Sequence, residues 1–333
     1  MLVTVSGPTK TIVMKAEVPD IEKTADETTA NVGEAVEYTI TGKVPNTIGY
    51  DEYVYKLTDT FTGLKFAEGY ETTSPITVKI GGTEIDKAKY TPPTITESSF
   101  VLELDFLSEA LKGYEPGTQI EVTYSAIVTQ DAIRPGQAVN KAELEYSNKP
   151  GEDTTNKTPS QEVPVYVFTL DFNKVNALGN ELEASFVLKN SDGFIKVDPT
   201  TGDISIVSSK DDATVLNKDN GYRIGGLKAG EYTLVEIETP EGYATPSETE
   251  LTFTIGMEEG TEVTFVLTTD SGLIRSTDED ATDTVLEADI VNLREGELPS
   301  TGSVGTVIFT VVGLSLMAVT AIILFVRNRK VND

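Results

Sequence analysis

The chain has 333 residues with 54 acidic against 26 basic side chains, a formal net charge of −28, which excludes a nucleic-acid partner because phosphate binding needs clustered positive charge. It contains no Cys, no His and no Trp, which excludes disulfides, thiol catalysis, histidine triads and Cys/His metal sites. The acidity reads as solubility rather than as an acid-specific function.

Thr, Val, Ile, Tyr and Phe recur in short alternating runs broken by Gly, Pro, Asn and Asp. Before the C-terminal apolar run no long stretch keeps a helical period, so we expect an all-β chain. The expected architecture is two Ig-like β-sandwich domains in tandem followed by one C-terminal transmembrane helix. Residues 1–19 read as a lead-in strand or the remnant of an upstream domain. Met1 is not followed by the basic and apolar leader of an exported protein, so a truncated or misassigned start is expected.

The first domain, 20–150, is expected to carry strands over 35–41, 53–61, 76–80, 100–106, 120–129 and 141–146, with a short helix over 106–112. Residues 151–162 are polar and rich in turn formers, and read as a linker. The second domain, 163–296, is expected to hold strands over 165–175, 184–188, 204–207, 221–224, 231–238, 251–255, 262–267 and 285–293. The acidic loop 276–283 lacks calcium-ligand spacing and reads as solvated. No metal or cofactor is expected.

A period of two sorts each strand into faces. Lys174 shares parity with Phe168, Leu170 and Phe172, and Asn292 with Leu286, Ala288 and Ile290. Glu236 joins Tyr232 and Leu234. In the first domain Lys23 follows Ile21, Asp59 lies among Tyr53, Tyr55, Leu57 and Phe61, and Asn148 follows Ala142, Leu144 and Tyr146. Each domain therefore presents an inward Lys, acid and Asn. Burial lowers the pKa of a lysine and raises that of an acid, which yields a nucleophilic amine beside a protonated carboxyl. Such an acid polarises the Asn carbonyl, the amine attacks, and contact supplies the effective molarity. The expected product is a Lys–Asn isopeptide bond with release of ammonia, with Asp59 and Glu236 as the autocatalytic acids.

The C-terminal segment 297–333 contains Leu298-Pro299-Ser300-Thr301-Gly302, then 23 uncharged residues over 304–326, then Arg327, Arg329 and Lys330. At ~1.5 Å per helical residue the apolar run spans a ~30 Å hydrocarbon core, and the basic tail stays cytoplasmic.

This order resembles the cell-wall sorting signal of Gram-positive surface proteins. The resemblance implies that sortase cuts between Thr301 and Gly302 and passes the Thr301 carboxyl to peptidoglycan or to a neighbouring pilin. Residues 20–150 resemble the fimbrial isopeptide-forming domain of sortase-assembled pilins through Ile21–Thr24, Leu57–Thr60 and Tyr146–Asn148. Residues 163–296 resemble their collagen-adhesin B-type domain through Lys174-Val175, the "E-box" over Gly230–Glu236 with Pro240–Tyr243, and Val291-Asn292. The implied function is a structural pilin on the cell wall, not an enzyme beyond its own cross-linking. The alternative is the stalk of a wall-anchored adhesin with its binding domain upstream, in which case a host surface ligand is a further partner. The family's Tyr-Pro-Lys-Asn-like polymerisation motif does not occur, and Lys15 is a weak stand-in for its lysine.

Overall fold

The computed structural model describes residues 18–240, 243, 250–259, 263–277 and 283–292. The sorting signal and the 304–326 span lie outside the described residues. Among the described residues no helix is long and apolar enough to cross a membrane.

Alternating inward Val36, Tyr38 and Ile40 make Ala35–Lys43 a half-buried strand, and Ile120, Val122, Tyr124 and Ala126 do the same for Gln119–Val128. These two pair along their whole length, with Glu22–Ala25 at one edge and Thr77–Ile80 towards the other. The facing sheet is centred on Tyr55–Thr62, which lies between Gln137–Ser147 and Ser99–Glu103. The two sheets enclose one apolar core that includes Tyr38, Phe66, Phe100 and Leu102. Each fully buried aliphatic or aromatic side chain of this kind contributes about 1.5–3 kcal/mol.

A second core, with Phe172, Phe186, Leu234 and Phe253, sits between two further sheets. One is built from Arg223–Leu227, Phe168–Asn176, Val285–Asn292 and Ile274–Ser276, in that order. The other is centred on Ser185–Asn190, Gly230–Glu238 and Glu250–Glu259. Among the named strands, only Phe168–Asn176 and Val285–Asn292 pair in parallel, which sets the first and last strands of this sandwich side by side.

The structure departs from expectation in three places. Residues 106–112 form turns rather than a helix. Asp105 Oδ1 accepts from the Leu107 and Ser108 N–H groups, and a seven-residue run without a partner face cannot offset helix nucleation. Residues 151–162 are not a free linker. Thr155–Lys157 and Gln161–Tyr166 both pair with Gln137–Ser147, because Val163 and Val165 bring an alternating apolar face back onto the first sandwich. The strand expected over 165–175 is broken at Val167, whose N–H bonds Gly136 O at 2.8 Å as the chain passes to the second sandwich.

That crossing relies on glycine. Gly136 has φ +73°, and a Cβ there would overlap the Thr284 hydroxyl of the second sandwich. Gly82 has φ +78° with nothing within 4 Å of its missing Cβ. Thermal unfolding should separate the two costs: Gly82→Ala should lose about 1 kcal/mol from left-handed backbone alone, and Gly136→Ala about 2–4 kcal/mol from backbone and overlap together.

Candidate functional site: two buried lysine–acid–asparagine centres

In the first sandwich the four-residue strand Glu22–Ala25 turns only Lys23 fully inward. Its Nζ pairs with Asp59 Oδ2 of the opposite sheet and donates to the Tyr124 hydroxyl at 2.6 Å. The ammonium lies 5.4 and 5.3 Å from the ring centroids of Tyr38 and Tyr124. Tyr124 in turn packs against Tyr38, Phe61, Phe66 and Phe100. Lys23 is 6% exposed and Asp59 0%, so neither charge reaches water.

Burial pulls the Lys23 amine down to about 8, against the opposing pull of Asp59. Burial likewise pushes the Asp59 carboxyl up to about 6, resisted by Lys23 and the Tyr124 hydroxyl. Both shifts bring the pair towards a neutral amine and a neutral acid.

The asparagine of this centre is Asn140, which sequence reading had not singled out. It is 0% exposed and its Nδ2 donates to the Tyr124 hydroxyl at 2.9 Å. The strand register explains the choice. Ala142 stands opposite Asp59 and Asn140 opposite Phe61, so Asn140 is the diagonal neighbour of Asp59 on the same face. Asn148 has the same parity but follows the end of the strand, and its Oδ1 accepts from the Thr154 hydroxyl at 2.7 Å. Six positions beyond Ala142, at ~3.3 Å each, place it about 20 Å along the sheet from Asp59. The available signal was the flanking pair Ala138 and Ala142, small side chains that leave room beside an inward amide.

In the second sandwich the three expected residues come together. Lys174 Nζ donates to Glu236 Oε2 of the facing sheet at 2.9 Å and lies 5.2 Å from the Phe186 ring centroid. Lys174 is opposite Ile290 and Asn176 opposite Asn292, so Lys174 and Asn292 are same-face diagonal neighbours in the parallel ladder. All three residues are buried, and burial lowers the Lys174 amine despite Glu236.

Both centres hold buried atoms without a hydrogen-bond partner. Among the described residues these include Asp59 Oδ1 and Asn140 Oδ1 in one centre, and Glu236 Oε1 and Asn292 Nδ2 in the other. Such atoms cost about 1–3 kcal/mol each. A proton on Asp59 Oδ1 would turn an unpartnered acceptor into a donor. The arrangement supplies an amine, an acid and a carbonyl in a water-poor pocket.

With this geometry in view, the relatives are informative. Residues 294–333 match the LPXTG cell wall anchor motif, and residues 168–295 match the SpaA prealbumin-like fold domain. The trypsin-resistant surface T6 protein of Streptococcus pyogenes serotype M6 is 26% identical, over 96% of this chain and 71% of its own length. The crystal structure of the group B streptococcus pilus 2b backbone protein aligns with TM-score 0.59 and 24% identity, over 84% of this chain and 99% of that one. The pilus backbone RrgB of Streptococcus pneumoniae aligns with TM-score 0.57 and 16% identity, over 84% and 100%. Those two structures bear on the fold alone. Fold and anchor define an all-β protein of the Gram-positive cell wall, held at the cell surface. Anchor motif, SpaA domain and T6 relative together support a structural subunit of the sortase-assembled pilin class.

Tyr124→Phe should test the hydroxyl that receives both the Lys23 amine and the Asn140 amide. In the unreacted centre, removing it leaves two buried donors short of an acceptor, and the unfolding free energy should fall by about 1–3 kcal/mol.

Proposed function

We propose that the chain is a pilus subunit closed by two intramolecular isopeptide bonds, Lys23 to Asn140 and Lys174 to Asn292. In each, a bond forms from lysine Nζ to asparagine Cγ, the Cγ–Nδ2 bond breaks, and the nitrogen leaves as ammonia. Asp59 or Glu236 carries a proton from the attacking amine to the leaving nitrogen and polarises the carbonyl meanwhile. The observation that carries this reading is the burial of an amine, an acid and an amide together in both sandwiches, with polar atoms left over. Asn148 takes no part. The chain acts on itself and on no other substrate.

Each bond would close a loop of roughly 120 residues, worth on the order of 5 kcal/mol in the chain-entropy model. The first links the two facing sheets, and the second links the adjacent first and last strands of its sheet. We read the two sandwiches as separate domains, the second beginning at Phe168, and 304–326 as a membrane span that precedes sorting. Sortase transfer of the Thr301 carboxyl to a peptidoglycan or pilin amine then fixes the C-terminal end. Load entering there passes within nine residues to Asn292 and so to Lys174.

Intact mass tests the bonds. The full chain should weigh two ammonia less than its sequence, and Asn140→Ala, Asp59→Ala and Glu236→Ala should each restore one. Asn148→Ala should restore none; an unreduced parent mass would sink the proposal.

The rate should also depend on pH. Reaction in the first centre needs one proton shared between Lys23 and Asp59. Below about 6 both groups are protonated and the amine is blocked; above about 8 both are deprotonated and the acid is lost. Refolding unreacted chain across this range and following ammonia loss in a Lys174→Ala background should give a bell with limbs near those two values.

A further inference from the structure

A third lysine, acid and asparagine meet where the sandwiches touch. Asn31 and Glu34 lie in the loop between Glu22–Ala25 and Ala35–Lys43, and Lys228 lies in the turn between Arg223–Leu227 and Gly230–Glu238. Lys228 Nζ donates to Glu34 Oε1 at 2.9 Å, and the Lys228 N–H donates to Asn31 Oδ1 at 2.9 Å. Asn31 Nδ2 and its backbone N–H each reach the Glu34 carboxylate at 3.0 Å. The backbone continues the joint: Val32 N–H bonds Gly226 O at 3.0 Å, and Ile204 N–H bonds Val32 O at 2.8 Å. Val32 is fully buried against Gly226, whose φ of +90° and missing Cβ allow that approach.

The environment decides what this trio does. The Lys228 and Glu34 side chains are 43% and 38% exposed, whereas those of Lys23 and Asp59 are both 0%. Burial pulls the Glu34 carboxyl up, but the Asn31 N–H groups and the Lys228 amine outweigh it and hold it below its ordinary value, so it has no proton to give. The chemistry of the buried centres is therefore absent, and an ion-paired clip remains.

Its position in the chain gives the clip a mechanical role. This step rests on the two proposed cross-links. Asn31 and Glu34 lie inside the loop closed by Lys23 and Asn140, and Lys228 lies inside the loop closed by Lys174 and Asn292. Between Asn140 and Lys174 the only covalent path is the backbone, which doubles back as the hairpin of Gln137–Ser147 with Gln161–Tyr166. Tension across that path pulls on the open end of the hairpin, the direction in which hydrogen bonds fail one at a time. We propose that the Asn31–Glu34–Lys228 clip is a reversible, non-covalent latch that joins the two covalently closed units and shields the 141–173 segment from load.

Single-molecule pulling of the full chain, tethered through its termini, tests this. The parent should show one short step, at most about 11 nm from some 33 residues at ~3.4 Å each. In the double variant Glu34→Gln, Lys228→Met the same step should appear at a force lower by roughly a third or more, since forced opening follows the barrier to unfolding. An unchanged force overturns the latch, provided intact mass shows that the variant still loses two ammonia and so folds around both centres. A third ammonia lost from the parent and restored by Asn31→Ala overturns its reversibility. Steps of about 40 nm in every chain would instead mean that the loops are not closed, which removes the latch together with the cross-links beneath it.

Discussion

A lysine amine inside an apolar core is the constraint on which this structure turns. An isolated buried charge is costly, and even a buried ion pair recovers its desolvation only when every remaining polar atom finds a partner. Around Lys23 that demand is met by Asp59 and by Tyr124, whose hydroxyl is held in place by rings on four sides. The demand is met incompletely, and that is the informative part. Asp59 Oδ1 and Asn140 Oδ1 are both left buried without a hydrogen-bond partner.

The two sandwiches bring the same three residue types together by different routes. In the second, a parallel ladder between the first and last strands places Lys174 and Asn292 one diagonal step apart, and only the acid must cross from the facing sheet. In the first, acid and asparagine share a sheet and the lysine crosses. Aspartate suffices there and glutamate is used in the second. In both cases the acid is set by the register of one central strand, so a slip of one residue would turn it to solvent.

The joint between the sandwiches sets a lysine–acid pair in a more solvated environment than the two cores do. The same three residue types occur at Asn31, Glu34 and Lys228, yet there the lysine and acid side chains are partly exposed and the trio is held by ordinary hydrogen bonds. What was expected to be a linker is built from strands of the first sandwich, so the connection carries a defined register instead of slack. With the proposed cross-links and latch, the two units would be closed and joined by a defined, reversible contact, an arrangement suited to bearing tension.

The sequence by itself determined the all-β class, the sorting signal, and the faces on which Lys23, Asp59, Lys174, Glu236 and Asn292 lie, because side-chain parity is a local property of an extended backbone. It named Asn148 and passed over Asn140, which shares its parity and strand region. That choice depends on where Ala142 meets Asp59 across a ladder joining segments some 80 residues apart. Nor could it reveal Tyr124, or the clip at Lys228, since each draws its meaning from neighbours distant in sequence. Parity says which way a residue points; only the tertiary register, fixed by packing both faces of every sheet at once, says what it meets there.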